Sequence, residues 1–219
     1  MAPTSLKDKL TSPFVTRRLP PTAGRRVLLT FDDGPTPGVT EGVLARLADH
    51  GAQAAFFVIG RRVAGREDLM RETTARGHAV CNHSMTHNDA RLPSPTAYHR
   101  DIRLAHDEIT RAIGTPPPLF RAPAGRLHPA SLVSPLLLGM RHVLWSLDSL
   151  DWHCRDDDAG RETARRILAT VADGDIILLH DYHTYIHALL DDLLPGLLER
   201  GFVLDSGLSH LDVAEGSAS

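Results

Sequence analysis

Five short clusters of titratable residues punctuate the chain: Asp32-Asp33 in TFDDGP, His83 and His87 in NHSMTH, Arg121 in RAPAG, Asp148 and Asp151 in DSLDW, and His180-Asp181 after IILL. Each has a plain reading and a chemical one. Asp, Gly and Pro are turn formers, so DDGP is either a polar turn or a metal ligand beside a general base. Two adjacent carboxylates repel, so the second reading needs a cation or an arginine to offset one of them. His83 and His87 are either surface histidines or, at i and i+4 on a helical turn, two imidazoles facing one way. Two His and one carboxylate with open positions form a catalytic pattern for zinc and other divalent metals. The Glu of an HExxH site is missing.

Arg121 is either a surface charge or the partner that holds a carboxylate in place. Asp148, Asp151 and Trp152 make either a charged loop or two acids beside an aromatic wall that can pack on a sugar face. His180 is either a satisfied core histidine or a functional group at the end of an apolar strand. His183 and His187 repeat the His-x3-His spacing, but no spare carboxylate accompanies them, and they read as solvated or as helix surface. The acid run Asp156–Asp158 reads the same way.

The elements that must position these residues follow from hydrophobic periodicity. Apolar runs at 27–31, 54–60, 78–82, 118–123, 142–148, 175–181 and 201–205 read as strands. Helical spacing appears at 38–50, 66–76, 94–113, 129–138, 159–172 and 186–199, the last interrupted or kinked near Pro195. Apolar strands alternating with helices imply a parallel sheet covered on both faces. The expected class is α/β, either an open doubly wound sheet or a small irregular (β/α) barrel. No glycine-rich GxGxxG or GxxxxGK[ST] loop follows the first strand, so dinucleotide and P-loop readings lose their main support. The polar clusters instead follow the strands, at the ends where a barrel collects its reactive groups.

Composition bounds the function. A chain of 219 residues with 42% hydrophobic and 23% charged residues suits one globular domain. Its formal charge of −3 argues against a nucleic-acid partner. Protonating all 13 histidines would carry that charge from −3 to +10, so behaviour near pH 6 should be strongly pH-dependent. Cys81 and Cys154 form no CxxC pair, which excludes a disulfide framework and a cysteine-rich zinc site. No stretch of membrane-spanning length is apolar, and the first residues lack a secretory h-region, so a cytoplasmic protein with no membrane partner is expected. Residues 1–24 read as an N-terminal arm, 25–205 as the domain and 206–219 as a C-terminal tail.

The five motifs, in this order and each after an expected strand, resemble the NodB-homology domain of the polysaccharide deacetylases, carbohydrate esterase family 4. The resemblance covers roughly residues 25–205. It implies a single distorted (β/α) barrel of about seven parallel strands, one divalent metal ion and an N-deacetylase activity. Zinc is the foremost metal, with cobalt or nickel as alternatives. Residue by residue, it implies that Asp32 is the catalytic base, that Asp33, His83 and His87 are the metal ligands, and that Arg121 pairs with the base. Asp151 and Trp152 match the acid and aromatic of the fourth motif, Asp148 its first acid, and His180 the catalytic acid. Ala124 stands where the family usually has an aromatic. Its backbone N–H still matches the oxyanion donor, while the lost ring changes the substrate pocket. The resemblance lies nearest the nodulation-type enzymes acting on soluble chitooligosaccharides. The expected function is removal of N-acetyl groups from N-acetylglucosamine-type oligosaccharides or a related small acetamido compound. Two other readings are an amidohydrolase on a non-sugar amide and a non-enzymatic carbohydrate-binding barrel.

Overall fold

The computed structural model describes residues 14–21, 24–88 and 94–211. Residues 1–13 and 22–23 of the expected arm (1–24) and 212–219 of the expected tail (206–219) lie outside the described residues. Eight parallel strands run in the order β1-β6-β5-β4-β3-β2-β8-β7. They are β1 (Val15–Thr16), β2 (Leu28–Asp32), β3 (Ala54–Val58), β4 (Ala79–Asn82), β5 (Leu119–Phe120), β6 (Arg141–Val143), β7 (Leu147–Asp148) and β8 (Ile176–His180). Six helices cover the outside: α1 (Val39–Asp49), α2 (Glu67–Ala75), α3 (Pro95–Ile113), α4 (Pro129–Leu137), α5 (Asp157–Thr170) and α6 (Tyr185–Glu199). Among the described residues, no helix is long and apolar enough to cross a membrane.

Three expected elements need correction. The run 142–148 is two strands, not one. β6 pairs with β5, and β7 pairs with β8 at the other end of the strand order. Only Leu144–Ser146 connect them, and four Cα steps span at most about 14 Å. The two halves of the sheet must therefore curl toward each other, which makes the sheet a distorted barrel. Second, residues 15–19 of the expected arm belong to this barrel. β1 pairs with β6, Leu19 donates its N–H to Gly174, and Arg18 pairs with Asp175 at 2.6 Å. Two residues are too short for a period to show in sequence. Third, the expected strand at 201–205 forms only one bridge, Val203 to Arg26, although Phe202 and Leu204 are buried. Helix α6 runs through Pro195 as one uninterrupted element.

Alternation along each strand separates two cores. Leu29, Phe31, Ala54, Phe56, Val80, Ile177 and Leu179 pack outward against the helices. Leu28, Ala55, Phe57, Ala79, Cys81, Leu119, Val143 and Ile176 pack inward. The same period aims Thr30 and Asp32 of β2, and His180 of β8, into the barrel. It aims Asn82 outward, where its Nδ2 donates to the Ile102 carbonyl of α3 at 2.9 Å, and so turns His83 inward. Arg121, next after the outward Phe120, also points in.

Helices α5 and α6 pack closely at Gly160. A Cβ on Gly160 would lie 2.7 Å from the Tyr185 carbonyl oxygen and 3.4 Å from the Leu189 nitrogen, both backbone atoms. Helix propensity alone would favour alanine there by roughly 1 kcal/mol. Overpacking costs about 1–3 kcal/mol, and backbone cannot swing aside. Gly160→Ala should therefore lower stability by up to about 2 kcal/mol net, read as a lower denaturation midpoint. An unchanged midpoint would mean that the two helices slide apart freely.

Candidate metal centre and active site

Asp32 ends β2 with its side chain buried in the barrel mouth. Its Oδ1 accepts from Arg121 Nη1 at 2.6 Å, and the same Nη1 donates to Thr30 Oγ1 at 2.8 Å. Arg121 is fully buried. Its Nε and Nη2 donate to the carbonyls of Val143 and Leu144 at 3.3 Å, and its plane stacks 4.0 Å from the Phe57 ring centroid. Burial raises the Asp32 pKa above the ordinary carboxylate value, and the Arg121 charge partly offsets it. Removing one member of such a pair leaves an uncompensated buried charge, at a cost of about 3–5 kcal/mol. Asp32 Oδ2 stays free of Arg121 and lies 3.6 Å from His83 Nε2.

Asp33 adopts a left-handed conformation, φ 75°, which swings its carboxylate away from that of Asp32. Its Oδ1 lies 3.6 Å from His83 Nε2 and 3.3 Å from His87 Nε2. This oxygen is buried and accepts no hydrogen bond. His83 Nδ1–H donates to the Arg121 carbonyl at 2.9 Å, which fixes the tautomer and leaves the Nε2 lone pair facing Asp33. Burial lowers the His83 pKa to about 3, so the ring is neutral, as a ligand must be. One donor atom from each of Asp33, His83 and His87 lies within 4.8 Å of the others. An orphaned carboxylate oxygen facing two imidazole nitrogens fits a divalent cation with open coordination positions.

The His83–His87 pair does not sit on a helical turn. Ser84 and His87 have φ of 65° and 55°. Side-chain acceptors replace helical hydrogen bonds here: Asn82 Oδ1 takes the Ser84 N–H, Ser84 Oγ takes the His87 N–H, and Asp101 Oδ2 takes those of Met85 and Thr86. Sequence reasoning missed Asp101. Its signal was a carboxylate on the apolar stripe of α3, beside Tyr98, Ile102 and Ala105.

Across the mouth, His180 is level with Asp32 in the β2–β8 register. Its Nδ1–H and its backbone N–H donate to the two oxygens of fully buried Asp151 at 2.7 and 2.8 Å. Burial alone would lower the His180 pKa, but the Asp151 hydrogen bond and charge, with Asp32 and Asp33, raise it to about 9. The ring is therefore an imidazolium at neutral pH with Nε2–H available.

Asp148 does not join this group. It is exposed on β7, and its Oδ1 accepts the Leu150 N–H at 2.9 Å, shaping the turn that delivers Asp151. Among the described residues, Asp148 makes no hydrogen bond or ion pair with Asp32, Asp151, His180 or the Asp33–His83–His87 group; its role is to shape this turn. Trp152 is 45% exposed on the rim. Ala124 is exposed in a 3₁₀ turn with φ 50°. His187 Nε2–H donates to the Val39 carbonyl at 2.9 Å and packs on α1, so it is a helix-packing residue rather than a solvated one. His183 is exposed.

Asp181 was noted in the sequence without a role. It is buried against Gly34, where a Cβ would lie 2.3 Å from its Oδ2. That oxygen accepts from Thr40 Oγ1 at 2.6 Å, and Thr40 Oγ1 accepts the Thr36 N–H at 2.8 Å. From the other side, Arg62 Nη1 donates to the Asp33 carbonyl at 2.7 Å. The DDGP loop is thus braced at both ends.

The family profile "Polysaccharide deacetylase" matches residues 20–143. A chitooligosaccharide deacetylase of Sinorhizobium fredii is 37% identical, over 84% of this chain and 91% of its own length. The peptidoglycan-N-acetylglucosamine deacetylase PgdA of Listeria monocytogenes is 34% identical over 81% of this chain, which spans 37% of that longer protein. The crystal structure of the polysaccharide deacetylase Bc1974 from Bacillus cereus superposes with a TM-score of 0.75 at 33% identity, over 84% of this chain and 92% of that one. The chain therefore belongs to the polysaccharide deacetylase family.

Proposed function

We infer that the protein is a metal-dependent N-deacetylase that removes acetyl groups from N-acetylglucosamine-type oligosaccharides and releases acetate. The carrying observation is the barrel mouth itself. The free oxygen of an arginine-paired carboxylate faces the Asp33–His83–His87 triangle, with the His180 imidazolium across from it. The curated relatives act on sugars of this kind by name. Intact Asp32, His180 and ligand positions count against a non-enzymatic barrel.

Asp33, His83 and His87 would hold the metal, for which zinc is our proposal. When bound, it polarises the amide carbonyl and acidifies a water. Asp32 Oδ2 takes the proton of the attacking water, and Arg121 keeps Asp32 oriented and its charge balanced. The Ala124 N–H is the proposed donor to the oxyanion that develops on the acyl oxygen. His180 Nε2–H gives its proton to the leaving amine, while Asp151 holds the ring by Nδ1. Trp152 on the rim offers its face to a sugar ring. The direct test is acetate release from chitooligosaccharides with zinc or cobalt added. Release from simple non-sugar amides alone would favour the amidohydrolase reading.

Adjacent Asp32 and Asp33 should separate by experiment. Asp32→Asn should keep its metal yet lose on the order of 10²–10⁴-fold in rate, without rescue by excess zinc. Asp33→Asn should lose metal by elemental analysis and recover partly at high zinc. The opposite pattern of metal content would reverse the two roles.

The pH profile carries a second test. His180 must be protonated to act, and its acid form is present below a pKa of about 9 and lost above it. kcat/KM should fall on the alkaline side near that value. Asp151→Asn removes the hydrogen-bonded anion that raises the pKa, so the alkaline limb should move to lower pH. A limb that stays in place in the variant would remove His180 from the role of acid.

Ala124→Tyr adds a pocket wall without touching the backbone donor. It should leave metal content intact and reorder rates across a panel of acetamido sugars of different size. An unchanged ranking would exclude position 124 as a determinant of specificity.

A further inference from the structure

Beside the metal triangle a cleft of about 550 Å³ opens to solvent, with Asp33 at its inner end and Pro37, Arg62, Arg66, Tyr182 and His183 around it. The Asp33 oxygen that faces His83 and His87 belongs to the metal centre. The remaining charge in the cleft is therefore cationic. Arg62 uses Nη1 on the Asp33 carbonyl, and Arg66 uses Nη1 on the Arg62 carbonyl at 2.9 Å. These bonds fix both guanidinium groups but neutralise neither. Among the described residues, no carboxylate pairs with Arg62 or Arg66. The acids that follow Arg66 in the chain are engaged elsewhere: Glu67 faces Arg111 at 3.5 Å, and Asp68 faces Arg71 at 2.6 Å. The Arg66 Nε is buried and has no hydrogen-bond partner.

Two guanidinium groups that line one cleft, each held by a single backbone bond and paired with no carboxylate among the described residues, suit a carboxylate, phosphate or sulfate. We propose that this cleft is a subsite for an anionic substituent on the substrate, carried beside the acetamido group that is hydrolysed. The preferred substrate is then an acidic acetamido glycan, not a neutral one. This rests on the deacetylase reading above, and it names a substrate class within it. Arg66 is a specificity-determining residue under this proposal, whereas Arg62 also braces the metal-ligand loop.

The test compares three tetramers of N-acetylglucosamine: neutral, bearing carboxymethyl ethers, and bearing phosphate monoesters. Acetate release is measured with the metal-loaded wild type, Arg66→Gln and Arg66→Lys, each checked for metal content and thermal midpoint. The wild type should favour a charged tetramer over the neutral one on the order of tenfold in kcat/KM, mainly through KM. The preference should shrink as sodium chloride rises, because the cleft is open to screening. Arg66→Gln should lose most of this charged-to-neutral ratio, and Arg66→Lys should keep part of it. Which charged tetramer is preferred separates a carboxylate from a phosphate partner. Acetate release from the neutral tetramer with no preference for either charged one overturns the subsite and leaves the deacetylase reading standing. A ratio unchanged in Arg66→Gln also overturns it. Calorimetric binding of the same tetramers to wild type and Arg66→Gln tests the subsite even if no tetramer releases acetate: equal affinities in the two proteins would sink it.

Discussion

The buried pair of Arg121 and Asp32 is the constraint on which the site depends. A fully buried guanidinium survives only if its donors are satisfied. Arg121 meets that demand by reaching four partners: Asp32, Thr30, Val143 and Leu144. Those partners belong to β2, β6 and the link from β6 to β7, so the pair also ties two distant parts of the curled sheet together. The Arg121 backbone carbonyl then accepts from His83 and sets that ring's tautomer. One residue thus orients the proposed base and one proposed metal ligand.

Local backbone strain gathers around this pair. Among the described residues, five non-glycine residues have positive φ: Asp33, Ser84, His87, Ala124 and Leu150. All lie in loops after strands at the barrel mouth, and each is at or next to a proposed functional position. Such conformations cost on the order of 1–3 kcal/mol each and persist only where surrounding contacts enforce them. The enforcing contacts are visible. Asp181, Thr40 and Arg62 brace the Asp33 turn, Asn82 and Asp101 hold the 83–87 loop, and Asp148 shapes the turn before Asp151. Strand alternation aims Asp32 and His180 without strain, whereas Asp33, the proposed ligand, takes a left-handed turn beside its neighbour.

The mouth also separates acid from base by environment. Asp32 and His180 are register partners on adjacent strands, yet different neighbours set their protonation. Asp32 is buried against a permanent cation, while His180 is bound through two hydrogen bonds to a buried anion. The arrangement suits the proposed roles of Asp32 as proton acceptor and His180 as proton donor. Swapping the two neighbours would leave neither group in its working state.

The sequence by itself determined the ordered motifs, the six helices to within a few residues, most of the strands and the α/β class, because these rest on local periodicity and on residue type. It also brought out Asp32, Asp33, His83, His87, Arg121, Asp151 and His180, since polar residues that end apolar strands stand out against their surroundings. It did not show β1, the division of 142–148 into two strands, or the supports Asp101, Asp181 and Arg62. A two-residue strand has no period, and a strand's neighbour in a sheet is a long-range choice. Nor did it reveal that Asp148 is exposed and bonded to its own turn while Asp151, three residues on, is buried and bonded to His180. That was decided by tertiary structure, because which of two nearby carboxylates reaches a histidine depends on how a turn closes and on which edge of a curled sheet the strand lands.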